Sequence, residues 1–408
     1  MRVLVVTGKG GVGKTSVAAA TAVRAAGLGH RTLAMSTDPA HSLGDAFGVE
    51  LGDAPTTVAE SLEAEQLDPH TRLEQHWAGI RGYLVSLLRW SGLEEVQAEE
   101  LSLLPGLEEL FALIDVLRHA EAGHHDVLVV DCAPTAETLR LLSLPEALGW
   151  YLERAFDMER TFTRVVRPML GRVTSMPLPG NALISSVDDL YRALLGVRDL
   201  LLDGERTTVR LVTNPERVVA AESRRTYKAL HLFGYHVDAL VVNRLLPAAI
   251  VDPFFVGAKE RQQEHLEALR ADFDLPVLTG ALAADEPVGT SALACLAEEI
   301  YAGSDPTDVM RRSEPVRIAR EADEMVLSMA LPFADGGEVD VFQRTDELYV
   351  RVGPYTRSIV LPAVLRRGSV RGARLAAGEL RVRFHVPPTE GQARERPEDR
   401  SPLVRQGT

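Results

Sequence analysis

Through the first half of the chain, short apolar runs alternate with longer stretches whose apolar residues recur every three or four positions. Residues 3–6, 32–35, 127–130, 209–212 and 239–242 are such runs. A strand covered on both faces has no polar side to present, so these runs predict interior strands of a parallel sheet. The segments between them supply crossovers: Leu107, Leu110, Phe111, Ile114 and Leu117 fall on one helical face just ahead of the run at 127–130. The pattern predicts an α/β fold with a doubly wound, mostly parallel sheet. Between about residues 56 and 206 the gaps are too long for plain crossovers, which predicts a helical subdomain inserted in two pieces around the strand at 127–130.

After about residue 320 the texture changes. Alternating runs at 325–331, 339–342, 348–352, 358–361 and 380–386 are punctuated by Gly336-Gly337, Gly353-Pro354, Gly368, Gly372 and Gly378. Period-two alternation broken by turn residues predicts a small all-β sandwich. The chain therefore divides into a domain over 1–303, a linker over 304–322, a β-sandwich over 323–386 and a Pro-, Glu- and Arg-rich disordered tail over 387–408.

Composition narrows the function classes. The 408 residues are 46% hydrophobic and 25% charged, a globular balance that excludes disorder throughout. A net charge of −14 leaves no basic footprint, so nucleic acid is not an expected partner and an anionic bilayer would repel the chain. Cys132 and Cys295 are too few for a disulfide framework or an all-cysteine metal site within one chain. No apolar run is long enough to span a bilayer, and the four apolar residues after Arg2 are too few for a signal-peptide core. A cytoplasmic protein is expected, peripheral to a membrane only through a partner.

Gly8-Lys9-Gly10-Gly11-Val12-Gly13-Lys14-Thr15 follows the first predicted strand and opens a helical pattern, the setting of a phosphate-binding loop. Glycines at 8, 10, 11 and 13 let the backbone curl so that its amides, from Val12 through Ser16, point at phosphate oxygens. The helix start adds partial positive charge. Lys14 is expected on the β- and γ-phosphates and the Thr15 hydroxyl on Mg²⁺, which makes ATP and Mg²⁺ the expected cofactors. Two further segments fall at strand ends: residues 36–43, containing Asp38-Pro39-Ala40-His41-Ser42, and Asp131-Cys132-Ala133-Pro134-Thr135. In a doubly wound sheet the carboxyl ends of the strands face the ligand crevice. A carboxylate there can orient an attacking water, as expected of Asp38, or organise the Mg²⁺ shell, as expected of Asp131. An Asx turn ahead of Pro39 is the alternative for Asp38.

These segments, with Thr138-Leu139-Arg140-Leu141-Leu142 and Val241-Val242-Asn243, resemble the arsenite-pump and tail-anchored-protein-targeting ATPase family over about residues 1–303. The resemblance implies a Mg-dependent ATPase working as a homodimer that opens and closes over a helical layer. Lys9 resembles the second lysine of deviant Walker loops, which reaches across the dimer interface to the partner's nucleotide. A cation delivered there would stabilise charge as the terminal phosphate bond breaks, as an arginine finger does. The same resemblance makes Asp38 the water-activating residue, Asn243 an adenine contact, and Pro215-Glu216 part of a loop lining the base pocket. Where the family has Gly-His after Thr135, this chain has Ala136-Glu137.

What such an ATPase would drive is read from two places. Met158, Phe162, Val165, Val166, Met169, Leu170, Val173 and Met176 trace one apolar helical face. By resemblance, targeting relatives hold a transmembrane helix in this region, and Met158, Phe162, Val166, Met169 and Met176 are the candidate client groove. Methionine suits an adaptable surface, although ordinary core packing explains the same pattern. Leu183, Val187, Leu190, Leu194, Val197 and Leu201 form a second amphipathic stretch, read as core, and His119, His124 and His125 are read as solvated. Arg357-Ser358-Ile359-Val360-Leu361-Pro362 and the spacing of Ala373, Leu375, Gly378, Leu380 and Val382 resemble a small heat-shock (α-crystallin) domain, with Leu380, Val382 and Phe384 facing inward. The leading expectation is an ATPase that captures and releases a hydrophobic or membrane-destined client. The alternative is the ATPase subunit of a membrane arsenite or anion efflux pump, which a chain without clustered cysteines suits poorly.

Overall fold

The interior apolar runs are strands: β1 (Arg2–Gly8), β2 (Thr32–Ser36), β5 (Val127–Asp131), β6 (Thr207–Thr213) and β7 (Val237–Leu245). With β3 (Thr56–Ala59), β4 (Leu62–Gln66) and β8 (Val277–Ala281) they form one sheet in the order β3-β4-β2-β5-β1-β6-β7-β8. Every neighbouring pair is parallel except the β3–β4 hairpin at one edge. This computed structural model describes residues 1–37, 42–67, 82, 85, 107–132, 181–322, 324–344 and 346–386. Asp38, Ala133-Pro134-Thr135 and the residues that follow them, and Met158, Phe162, Val166, Met169 and Met176 lie outside the described residues.

Two cores sandwich the sheet. Val3 and Val5 of β1 enter one with α3 (Leu107–Ala122), α4 (Asn181–Leu202), α5 (Arg217–Phe233) and α6 (Val256–Asp272). Leu4 and Val6 enter the other with α1 (Lys14–Gly27), α2 (Ser42–Phe47) and α7 (Thr290–Tyr301). Successive strand residues point to opposite faces, so burial on both sides accounts for the unbroken apolar runs. On α4, Leu194, Val197 and Leu201 are buried in the first core, as the periodicity predicted.

Three expectations are corrected. Residues 56–66 do not begin a helical insertion; they form the β3–β4 hairpin, turned at Ser61 in the left-handed region (φ 59°). His119 and His125 are not solvated. Nε2 of His119 lies 2.7 Å from Oε1 of the fully buried Glu65, and Nε2 of His125 lies 2.8 Å from Oε2 of Glu63, both carboxylates on β4. The stretch read as linker contributes a strand, β9 (Val316–Glu321), paired antiparallel with β10 (Glu324–Ala330).

The C-terminal module adds β11 (Val339–Arg344), β12 (Glu347–Val352), β13 (Tyr355–Val360), a short α8 (Ala363–Arg366), β14 (Ser369–Ala376) and β15 (Glu379–His385). Its two antiparallel sheets have the orders β14-β15-β10-β9 and β11-β12-β13. Ala377 and Gly378 both take positive φ (50° and 74°), the conformation of a tight two-residue hairpin, and Leu380, Val382 and Phe384 of β15 are buried.

Helix α5 docks this module onto the first of the two cores. Leu232 belongs to the module's own apolar cluster, and the buried Arg357 donates from Nη1 to the Leu232 carbonyl at 2.8 Å. Lys228 pairs with Glu338 at 2.6 Å, and Phe333 packs between Tyr227 and Phe273. Among the described residues no helix is long and apolar enough to cross a membrane.

Candidate functional site

The site is assembled where β1, β2 and β5 end side by side. Parallel register sets Val6 and Ser36 opposite Asp131, so the glycine loop and the residues after β2 and β5 open toward the same crevice. Gly8 closes β1 against β6: a Cβ there would lie 2.1 Å from the Val212 carbonyl oxygen, which only glycine avoids. Gly13 caps α1 with φ 89°, and a Cβ there would strike Nδ2 of Asn243 at 2.4 Å. The loop is thus held against two neighbouring strands, and its last residues begin a 14-residue helix.

Behind the loop the Thr15 hydroxyl donates to Oδ2 of Asp131 at 2.7 Å and lies 3.1 Å from the Ser42 hydroxyl. Three oxygens from α1, β5 and the start of α2 therefore meet at one point. This donor set suits a hard cation that keeps waters and phosphate oxygens as its remaining ligands. Lys14 is buried and donates from Nζ to the Lys9 carbonyl at 3.3 Å, an arrangement it can exchange for a phosphate oxygen. The glycine cradle and this oxygen cluster fit a Mg-nucleotide.

Lys9 turns the other way. Its Nζ lies 3.2 Å from Oε2 of Glu222 on α5, both side chains about one-third exposed. Asn243, expected on adenine, donates from Nδ2 to the Val12 carbonyl at 3.0 Å and is buried beside the loop. The loop after β6 is self-braced: Asn214 donates to Glu216 Oε1 at 3.2 Å, and the Glu216 amide bonds the Asn214 carbonyl at 2.8 Å across Pro215. Gly10 and Gly11 stand exposed at the loop tip, while Val12 is buried and Ser16 sits in the first turn of α1. Sequence reasoning did not single out Ser42 as a partner of Thr15, or Glu222 as a partner of Lys9. Ser42 lay within a segment already under suspicion, whereas nothing local marks Glu222.

A glycine-rich loop at the crevice side of a doubly wound sheet, with a lysine and a threonine opening the following helix, defines a nucleotide-binding protein of the P-loop class. The chain belongs to the anion-transporting ATPase family, whose model matches residues 1–302. A second model, an HSP20-like domain found in ArsA, matches residues 322–384. The chain is similar to a putative arsenical pump-driving ATPase of Chlorobaculum tepidum, 39% identical over 369 residues, covering 90% of this chain and 91% of that protein. It is 32% identical over 393 residues to putative arsenical pump-driving ATPase 1 of Aquifex aeolicus, covering 94% and 99%. It is also 32% identical over 296 residues to ATPase GET3B of Arabidopsis thaliana, covering 67% and 71%.

Proposed function

We propose that this chain hydrolyses ATP as a homodimer and couples that cycle to the capture and release of a hydrophobic or membrane-destined client. The observation that carries the hydrolytic part is the meeting of Thr15, Asp131 and Ser42 behind the glycine loop. Thr15 would hold Mg²⁺, with Asp131 fixing the direction of its hydroxyl, and the ion would neutralise charge on the phosphate oxygens. Lys14 would leave the Lys9 carbonyl for the phosphates. Lys9 would leave Glu222 and serve the nucleotide of the second copy, and Asp38 would orient the attacking water. Asn243 would hold both the Val12 carbonyl and the base, and Pro215-Glu216 would border that base. The client groove of Met158, Phe162, Val166, Met169 and Met176 is part of this proposal.

The similarity to arsenical pump-driving ATPases supports a second reading, in which the client is replaced by a membrane pump and turnover answers to a metalloid. The chemistry of the two thiols favours the first: Cys132 is buried and Cys295 is exposed on α7, with no cluster among the described residues for a thiophilic ion. The test is ATP turnover of the full chain alone, with a hydrophobic helix, and with arsenite or antimonite. Stimulation by the helix supports client capture; stimulation by the metalloids alone replaces it with the pump reading. Absence of any turnover that Lys14→Ala removes would end both.

A further inference from the structure

Six non-glycine residues take positive φ among those described, and five have ordinary reasons. Ser61, Ala322, Phe333 and Ala377 sit in turns between strands, and Ala302 ends a helix. Arg244 is different. It lies inside β7, at φ 62°, where a side-chain-bearing residue is strained. Strain kept within a strand marks a place where the surrounding structure enforces a particular aim of the side chain.

The pairing of β7 with β8 shows what is being aimed. Val242 pairs with Thr279, but the next paired residue is Leu245, opposite Ala281, so Asn243 and Arg244 share a bulge. In a regular strand two consecutive side chains point to opposite faces of the sheet. Here both converge on the phosphate loop. Measured from the Cβ position of Gly13, Nδ2 of Asn243 is at 2.4 Å and Nε of Arg244 at 3.9 Å. Bulges re-aim side chains in this way. Asn243 uses its placement to hold the Val12 carbonyl. Arg244 is exposed and makes no hydrogen bond or ion pair among the described residues.

The guanidinium thus stands beside the capping glycine of α1 and the buried Asn243, within reach of a ligand held by the phosphate loop. The geometry points to Arg244 as a nucleotide-binding residue that engages the α-phosphate. A planar fork of donors matches phosphate oxygens, and such charge-assisted bonds are among the strong ones. The bulge is then a device that places two consecutive residues on one ligand, at the cost of a strained backbone. This inference rests on the nucleotide-binding reading above.

The test measures equilibrium binding of ATP, ADP and adenosine to the full chain, with nucleotide-free melting temperature as a second readout. Arg244→Gly suits the positive φ and removes the guanidinium. The expected result is a loss of about 10- to 100-fold in affinity for both ATP and ADP, the range of a charge-assisted bond. Adenosine binding should be unaltered and the melting temperature no lower than that of the parent chain. Arg244→Lys should recover part of the loss, because an ammonium keeps the charge without the fork. Affinities for ATP and ADP within about threefold of the parent in Arg244→Gly would overturn the assignment, as would an equal loss for adenosine, which would move the contact to the base. Lys14→Ala separates the two claims: if the parent chain binds ATP no better than that variant, the nucleotide-binding reading itself has failed.

Discussion

Lys9 and Glu222 form an ion pair within one chain, Nζ to Oε2 at 3.2 Å, joining the phosphate loop to the first half of α5. A lysine that serves a neighbouring copy has to break this pair first. With both groups about one-third exposed, the pair is worth less than about 1 kcal/mol. Glu222→Gln should therefore raise turnover by up to about fivefold at protein concentrations where dimerisation limits the rate. Lys9→Ala should keep ATP binding and lose at least about 10³-fold in hydrolysis, on the scale of an arginine finger. Turnover assays over a protein dilution series check both, and a rate in Lys9→Ala equal to that of the parent would remove the trans role.

The Thr15–Asp131 bond makes a separate prediction about metal. Asp131→Asn keeps the shape but turns one acceptor oxygen into a donor, so the Thr15 hydroxyl loses its fixed direction. Half-saturation by Mg²⁺ should rise about 10- to 100-fold, the usual cost of disturbing a group that orients a metal ligand. Titration of ATP turnover against Mg²⁺ is the measurement, and an unmoved midpoint would contradict the role given to Asp131.

His231 sets an acid limit on stability. It is buried on α5, its ring 4.4 Å from that of Tyr227, and among the described residues neither ring nitrogen makes a hydrogen bond. Burial first, then the nearby Arg311 and His236, pushes its pKa down to about 4. The fold prefers the neutral ring, while the unfolded chain takes up a proton near pH 6.5. Stability is therefore complete above about pH 6.5 and falls as pH drops toward 4. The loss is about 2 kcal/mol by pH 5 and about 3 kcal/mol below pH 4. Urea denaturation at pH 7.5 and pH 5 should show the difference in the parent chain and a smaller one in His231→Leu.

Arg357 is the polar bolt between the two modules, a buried guanidinium on the Leu232 carbonyl. Arg357→Ala leaves that carbonyl without its donor and should cost about 1.5–3 kcal/mol. Calorimetry should then resolve a separate, lower transition for the β-sandwich, and limited proteolysis should cut between residues 303 and 315. A single unshifted transition would show that the apolar contacts hold the modules together alone.

Local chemistry was legible in the sequence, and contacts made by folding were not. The interior strands announced themselves because burial on both faces leaves no polar residue to obscure them. The glycine loop did so because its chemistry is contiguous. The hairpin at 56–66 was hidden by Glu63 and Glu65, which suggest a polar surface until His119, on the last turn of α3, and His125, just after it, arrive to meet them. The same distant pairing made the histidines look solvated. Strand β8 was obscured by Gly280, which the fold requires because a Cβ there would lie 2.9 Å from Oδ1 of Asn243. Edge strand β9, with Arg317, Ile318, Arg320 and Glu321 exposed, carries too little apolar signal to stand out from a linker. Arg244 could not be found by spacing at all, since its placement depends on a break in strand register.

Because Leu232 is part of the sandwich interior while Glu222 sits ten residues earlier on the same 17-residue helix, the two modules are not separable goods. A truncated chain ending at residue 303 would hand Leu232, Tyr227 and Phe273 to water and become sticky for reasons unrelated to any ligand. Any chimera that borrows the sandwich from another protein would have to graft the outer face of α5 along with it.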